Sequence, residues 1–196
     1  MKKLNKFAQV FAKILESIHW VGAVAMMILF VASAFAGTWL QDIFQTGVVF
    51  DSDAGLYGYN EFKTYGMEMI CTNPDGTYNM TAIAIFSVGA MLILALMAMV
   101  FRNIYLMFKT AEGESKFSEG NTPFQKDIVR MIREIGIFLI ASAAVSMLTT
   151  LIGSIVISST YTVFDIQSAV FGIFMLCLSS WFNYGEKLEK DVDGLV

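Results

Sequence analysis

The sequence predicts an all-α membrane protein: a bundle of four transmembrane helices with a small extracytoplasmic β-hairpin-like cap between the first two. Hydrophobic residues make up 56% of the 196-residue chain and charged residues only 15%, against roughly 25% in a soluble domain. The charged residues also leave four long gaps. Within them, segments such as MLILALMAMVF are apolar on every face, unlike the alternating strands of a membrane barrel.

Each of the four gaps is long enough for a membrane-spanning helix. They contain 22 residues after His19, 26 after Asp75, 30 after Glu134 and 20 after Asp165, and roughly 20 apolar residues cross the hydrocarbon layer. We predict spans at about 18–40, 82–108, 135–157 and 163–184 in a single membrane domain of residues 1–196. A cleaved signal peptide is the alternative for the first span. However, about twenty residues before the apolar run are long for the basic region of such a peptide.

The basic residues predict the orientation of these spans. Twelve of the 13 lysines and arginines lie before the first span, in the segment from Arg102 near the end of the second span to Arg133, or after the fourth span, whereas Lys63 lies between the first and second. By the positive-inside rule, both termini and the inner loop 109–134 are expected to be cytoplasmic, and the outer loop 41–81 to lie outside.

The outer loop is expected to form a small cap of β-structure. Residues 47–50 and 57–62 are strand-like, and Met67, Met69 and Cys71 fall on one side of an alternating pattern over 63–72. The sequence Asn-Pro-Asp-Gly at 73–76 is a strong turn signal. A hairpin or three-stranded cap of this size does not fold alone, so we expect it to pack on the bundle.

The inner loop contains a predicted helix start. Thr122 is the expected N-cap, Pro123 the first helical residue, and Gln125 the partner in a capping box. The helix that begins here is expected to run straight into the third span.

Two segments next to the spans combine an apolar stripe with basic residues. After the predicted helix start, Lys126, Arg130 and Arg133 lie largely opposite the apolar stripe. These side chains either meet lipid phosphates at the interface or form a docking surface for a cytoplasmic partner. Residues 2–17 have a similar pattern and could lie along the membrane before the first span.

Two clusters could bind a metal, and each has a simpler interpretation. Met67, Met69 and Cys71 offer soft sulfur ligands suited to Cu(I), but they could equally fill the underside of the cap. Glu16 and His19 are spaced as half of a carboxylate-bridged di-iron site, but His19 is the only histidine. We therefore predict no metal and no other cofactor, and keep the three sulfur residues as weak candidates.

The sequence contains no recognisable catalytic motif. No nucleophile elbow, phosphate-binding loop, dinucleotide fingerprint or HExxH occurs, so we expect a protein that is not an enzyme. Asp165 interrupts the apolar sequence, but it falls in the first turn of the fourth helix, where the helix dipole favours a carboxylate. No other charged residue lies deep in a span, which disfavours an ion-coupled transporter.

Two segments resemble a known family. Residues 113–118 read Gly-Glu-Ser-Lys-Phe-Ser, residues 122–124 Thr-Pro-Phe, and IVRMIREIG follows over 128–136, while the chain ends with FNYGEKLEKDVDGLV over 182–196. Together with four spans, they resemble a bacterial membrane family catalogued as domain of unknown function two-nine-seven-five. Its members have no assigned catalytic activity and are often encoded beside a small helix-turn-helix regulator of the Xre type. The resemblance implies a membrane partner that senses or sequesters a transcription factor.

We therefore expect a non-enzymatic regulatory protein of the bacterial cytoplasmic membrane that binds an Xre-type regulator and no nucleic acid directly. Membrane lipid and further copies of the chain are the other candidate partners. A small transporter, or an immunity or envelope-stress protein, is the alternative. Gly185 is expected to end the fourth helix and to leave a charged tail, 185–196. The predicted partner-binding residues lie at the start of the third span and in this tail: Lys126, Arg130, Arg133, Glu134, Glu186, Glu189, Asp191 and Asp193.

Overall fold

The structure is a computed structural model that describes residues 2–46, 61–73, 77–118, 124–157 and 165–193. The predicted all-α fold with a small hairpin is confirmed in this part of the chain. Its elements in chain order are α1 (Lys2–Phe35), α2 (Gly37–Thr46), β1 (Glu61–Thr64), β2 (Met67–Ile70), α3 (Met80–Ala111), α4 (Lys126–Ile157) and α5 (Ile166–Asp193). The predicted cap residues at 47–50 and 57–60, the predicted N-cap Thr122 and Pro123 lie outside the described residues. The prediction that Gln125 lies in the first turn of the helix is wrong, because α4 begins at Lys126 and Gln125 O accepts its first helical hydrogen bond, from Val129 N.

Four of these helices, α1, α3, α4 and α5, are long and apolar enough to cross a membrane, so the chain is a multi-pass integral membrane protein. They contain 34, 32, 32 and 28 residues, or roughly 42–51 Å at 1.5 Å per residue. Because the hydrocarbon layer is about 30 Å thick, two or more turns of each helix extend beyond it. The prediction that Gly185 ends the last helix is wrong, because α5 continues to Asp193.

The first helix is continuous. Residues 2–17, which the sequence suggested could lie along the membrane, instead form the first half of the spanning helix α1. The buried positions Ala12, Glu16, His19 and Ala23 follow one another at helical spacing. This single buried face explains why the segment stays in line with the span.

The short helix α2 is an addition to the predicted elements. The helical hydrogen-bond pattern continues across Ala36, because Leu40 N donates to Ala36 O over 2.9 Å. Leu40 is buried and Trp39 is exposed, so α2 is amphipathic. Gly37 lies against Met80 at the start of α3, with Met80 Cγ 3.3 Å from the place of a Cβ.

The two strands form a tight hairpin. Their antiparallel register ends with Thr64 paired to Met67. Tyr65 and Gly66 make the turn with φ values of 39° and 74°, and positive φ at both central residues is typical of a type I′ turn. The single alternating strand predicted over 63–72 is therefore wrong, because the chain reverses in the middle of it.

Beyond the hairpin, the chain reverses again near the predicted turn at 73–76. Residues 74–76 lie outside the described part, but Thr72 and Tyr78 form an isolated antiparallel bridge. Asn73 N donates to Thr77 O over 2.7 Å. Asn79 Oδ1 then accepts from Ala82 N over 3.1 Å, which makes Asn79 the N-cap of α3.

The chain forms two compact units, each of which draws on several helices. Unit 1 contains Met1–Trp20, Ala95–Ser142 and Ile166–Val196, and unit 2 contains Val21–Leu94 and Ala143–Asp165.

In unit 2 the hairpin packs on α3 and α4, as expected for a cap too small to fold alone. The rings of Phe62 and Phe86 lie 5.5 Å apart. A Cβ at Gly89 would lie 2.5 Å from the side chain of Thr149 and 2.9 Å from Met67 Sδ. Gly89 is thus the point where α3 touches both α4 and β2, and only a residue without a side chain fits there.

In unit 1 the helices α4 and α5 cross at two glycines. A Cβ at Gly136 would lie 2.8 Å from the carbonyl oxygen of Gly172, and the reverse distance is also 2.8 Å. Small residues at a crossing let helix backbones approach closely in a membrane, where van der Waals contact is a main source of association. This crossing fixes how the predicted partner-binding segments at the ends of α4 and α5 meet.

Candidate functional site

All of the predicted partner-binding residues belong to unit 1. They lie at the start of α4 and the end of α5, which the sequence separates by two membrane spans. The structure therefore brings two segments that are far apart in sequence into one compact body. We call the charged parts of this body, residues 5–16, 102–118, 124–134 and 186–192, the charged ends.

Helices α4 and α5 are joined at the charged ends by three specific contacts. Ser179 Oγ donates to the carbonyl oxygen of Val129 over 3.1 Å. The rings of Phe124 and Phe182 lie 5.5 Å apart, and a Cβ at Gly185 would lie 2.7 Å from the ring of Phe124. Gly185 thus leaves room for an aromatic ring inside a continuing helix rather than ending that helix.

Arg130 is held by contacts within its own unit. Its guanidinium lies 3.1 Å from Asp127 Oδ1 and 3.6 Å from Glu134 Oε1, and it lies over the ring of Phe117 at 5.7 Å. Glu134 Oε2 accepts from Asn103 Nδ2 over 3.0 Å, which ties α4 to α3. Arg130 and Glu134 therefore hold neighbouring parts of the charged ends together, in addition to carrying charge.

The other predicted residues of α4 and α5 differ in their exposure. Lys126 and Arg133 are exposed, and so is Asp191. Glu186 forms an ion pair of 2.7 Å with Lys190, and only 12% of its side chain is accessible. Glu189 is half-buried, and Asp193 is the last residue of α5. The surface is thus one of mixed charge, with lysine, arginine and carboxylates on neighbouring turns.

A row of polar contacts between α1 and α3, from Gln9 to Glu16, was not predicted from the sequence. Gln9 Nε2 donates to Glu112 Oε2 over 2.9 Å, and Lys13 lies 2.8 Å from the buried Glu16 and over the ring of Tyr105. The signal was present in the sequence. Polar and small residues recur on one face of the amphipathic segment 2–17, at the spacing of a helix packed against a polar neighbour.

His19 continues this row of contacts between α1 and α3. Its Nδ1 lies 2.7 Å from the carbonyl oxygen of Leu15, its ring lies 4.9 Å from that of Phe101, and Glu16 is paired with Lys13. Among the described residues, no group of three His, Cys, Asp or Glu side chains is placed to hold a metal ion.

The three sulfur residues of unit 2 share one buried face, as the alternation predicted. Met67, Met69 and Cys71 are 0%, 1% and 0% exposed, and Cys71 Sγ lies 3.6 Å from Met69 O. Burial raises the pKa of the Cys71 thiol to about 12, and the protonated thiol is the form that binds metals poorly. Their surroundings fit a packing role beneath the hairpin.

Comparison with protein-family models, with curated proteins and with solved structures finds no match to the chain. The charged ends of unit 1 are nevertheless a distinct chemical feature. They combine exposed cations and carboxylates with helix contacts that fix their positions, which suits recognition of a charged protein partner.

Proposed function

We propose that this protein is a non-enzymatic regulatory membrane protein whose charged ends bind a cytoplasmic helix-turn-helix transcription regulator of the Xre type. One observation supports the proposal most: the start of α4 and the end of α5, which carry the resemblance to the bacterial membrane family, pack on each other. Two segments far apart in sequence thereby form one surface.

The orientation follows from the basic residues and is part of the proposal. Twelve of 13 lysines and arginines lie in or next to unit 1 segments, and Lys63 of β1 is the exception. In a bacterial cytoplasmic membrane, the positive-inside rule places the charged ends and both termini in the cytoplasm. A soluble regulator reaches them there.

The chemistry of the surface suits a DNA-binding partner. Such a protein carries a basic face that neutralises DNA phosphates. Glu189 and Asp191, within one turn near the end of α5, offer carboxylates to that face, while Lys126 and Arg133 offer cations to its acidic residues. Binding at this surface would hold the regulator at the membrane and away from its operator.

The proposal is tested with the regulator encoded beside this chain, co-purified with the full-length protein from membranes. The variant Lys126→Glu/Arg133→Glu removes two exposed cations, and Glu189→Lys/Asp191→Lys reverses two carboxylates. We expect each to reduce co-purification by about tenfold, or about 1.4 kcal/mol, since a reversed charge places like charges next to each other across the interface. Each should also change transcription of a reporter under the regulator's control.

The matched control is Lys63→Glu, a charge reversal on β1 in unit 2. It should leave both readouts at the wild-type level. If all three variants bind the regulator equally and transcription is unchanged, the charged ends serve another purpose. A contact with lipid phosphates would be recognised by weaker binding of the purified variants to vesicles rich in anionic lipid.

A further inference from the structure

Two exposed apolar stripes lie on unit 1. The spacing of three and four residues places the members of each stripe on one helix face. The α1 stripe consists of Phe7, Val10, Phe11 and Ile14, with exposures of 67%, 60%, 52% and 51%. The α5 stripe consists of Trp181, Tyr184, Leu188 and Val192, with exposures of 78%, 65%, 47% and 61%.

Each stripe lies opposite the face by which its helix packs. On α1 the buried face contains Ala12 and Glu16, and on α5 it contains Ser179. In an apolar stretch of 18 residues within each helix, only 17% of the residues of α1 and 11% of those of α5 are buried, against 50% in α3 and 39% in α4. Both helices therefore pack through one narrow face, and unit 1 leaves the two stripes open.

The α1 stripe lies at the same depth as the polar segment that follows α3. Gln9, between Phe7 and Val10, donates to Glu112 just after the end of α3. The connection that follows, Glu-Gly-Glu-Ser-Lys over 112–116, is typical of the aqueous side of a membrane. The hydrocarbon layer is therefore not the natural cover for Phe7 and Phe11.

The first half of the α5 stripe, Trp181 and Tyr184, lies at the same level within unit 1. The bond between Asn103 and Glu134 sets the level of α3 against α4. The two helices are antiparallel, and each ends or begins eight residues from this bond. The end of α3 at Ala111 and the start of α4 at Lys126 therefore lie side by side. The ring of Phe124, just before α4, packs against that of Phe182, which lies between Trp181 and Tyr184 in the sequence.

Lipid covers the α5 stripe at most in part. Trp181 and Tyr184 are the aromatic residues preferred at a membrane interface. Leu188 and Val192 lie one and two turns further along the helix, among charged residues of 186–193. A contiguous apolar surface at that position indicates contact with protein.

The charges that flank the stripes have opposite signs. Residues 2–15 contain four lysines and no acidic residue, whereas residues 186–193 contain four acidic residues and two lysines. Two α1 stripes would bring lysines together, which is unfavourable. Each stripe is complementary in charge to the other, and both belong to this chain.

We propose that the α1 stripe of one copy packs against the α5 stripe of a second copy. Copies in one membrane are held at the same depth, so Phe7, Val10 and Phe11 lie level with Trp181 and Tyr184. The lysines before Phe7 lie level with the charged residues that follow Tyr184. The interface is heterologous, because different surfaces meet, and antiparallel, because α1 and α5 cross the membrane in opposite directions. It overlaps the charged ends at residues 7–14 and 188–192, but the contact between copies requires no regulator.

Disulfide cross-linking between two differently tagged copies tests the pairing. In a Cys177→Ala background, one copy carries Phe11→Cys and the other Trp181→Cys, both at exposed positions. We expect a cross-linked pair that contains both tags. The matched control replaces Trp181→Cys with Ile137→Cys, which is exposed on α4, and should give no such pair.

A charge exchange tests the same contact without cysteines. Lys3→Glu and Asp191→Lys, made singly in the full chain, should each weaken self-association in lipid nanodiscs or vesicles by about twofold to fivefold. The double variant should recover at least half of the loss, because the exchanged charges attract again. Lys116→Glu, in the connection between α3 and α4, should have no effect.

Three outcomes would overturn the proposal. The first is a protein that remains monomeric at all ratios of protein to lipid. The second is cross-linking of Phe11→Cys only to itself, which would place two α1 stripes together. The third is a double charge variant that associates more weakly than either single variant. Loss of regulator binding would bear on the proposed function alone, since the cross-links are scored without the regulator.

Discussion

Asp165 lies against Gly66. A Cβ built on Gly66 would lie 2.6 Å from both Cβ and Cγ of Asp165. Asp165 immediately precedes α5, and Gly66 is the second residue of the hairpin turn. The sequence suggested a carboxylate at the start of the last helix, and the structure adds that the same residue holds the turn of the hairpin in unit 2.

The substitution Gly66→Ala should destabilise the protein strongly. An alanine at φ of 74° costs about 1–2 kcal/mol for its backbone conformation, and contact with Asp165 adds about 1–3 kcal/mol of overpacking. Thermal unfolding in detergent micelles measures the effect. Gly113→Ala, at φ of 76°, is the control for the backbone term. Equal losses in the two variants would mean that the contact with Asp165 contributes nothing.

The substitution Gly89→Ala should separate α3 from α4 and the hairpin. The new methyl group would meet Thr149 at 2.5 Å and Met67 Sδ at 2.9 Å, and overpacking of this kind costs about 1–3 kcal/mol. Gly22→Ala is the control, because its new Cβ meets only the flexible end of Leu94 at 3.3 Å. That change should be neutral or stabilising by up to about 1 kcal/mol, since alanine favours helix more than glycine does. A lower melting temperature for Gly22→Ala than for Gly89→Ala would contradict the packing.

Cys71 should resist alkylation in the folded protein. Burial raises the pKa of its thiol from 9.0 to about 12, so at pH 8 only about one thiol in ten thousand is ionised. Intact mass after treatment with N-ethylmaleimide measures the reaction in a Cys177→Ala background. Lys63→Cys, at an exposed position of the same hairpin, should react within minutes. Because the pKa is raised on folding, the contribution of the neutral thiol to stability is lost as pH rises from 9.0 towards 12. Rapid labelling of native Cys71 at pH 8 is incompatible with this account.

The substitution Asn103→Leu should weaken the link between α3 and α4 in unit 1. Asn103 is 4% exposed and donates to Glu134, so an apolar residue of similar size leaves one carboxylate oxygen without that donor. The expected loss is about 1–3 kcal/mol. Ser154→Ala is the control, since Ser154 Oγ donates only locally, to Leu151 O. A variant as stable as wild type would show that the carboxylate finds another donor.

Lysine labelling of intact cells tests the orientation. A membrane-impermeant reagent should modify Lys63, whose side chain is 56% exposed, and should leave Lys116 and Lys190 unmodified. After the membrane is opened, all three should react. Labelling of Lys116 or Lys190 in sealed cells would place the charged ends outside and would remove the basis of the proposed function.

Several features of the fold were predictable because they depend on neighbours in sequence. The four spans follow from charge-free stretches that match the thickness of the hydrocarbon layer. The shared face of Met67, Met69 and Cys71 follows from the two-residue period of a strand. The extent of the helices was underestimated, because charged residues past the span end, such as Glu186, are good helix formers in water as well.

The errors arose where the role of a residue depends on its contact with another segment of the chain. Gly185 was expected to stop a helix, since glycine often does so, but it accommodates the ring of Phe124 in a helix that continues. The alternating pattern over 63–72 suggested one continuous strand, but the chain reverses direction at Tyr65 and Gly66. Only the pairing of β1 with β2 shows this reversal.

The sequence by itself determined that the chain crosses a membrane with four apolar helices, because burial in lipid requires long uncharged segments whatever lies beside them. Only the tertiary structure decided which charged segments meet, which glycines are contact points, and which faces of α1 and α5 stay open. These features depend on distances between residues far apart in the chain. No local pattern of hydropathy or charge encodes such distances.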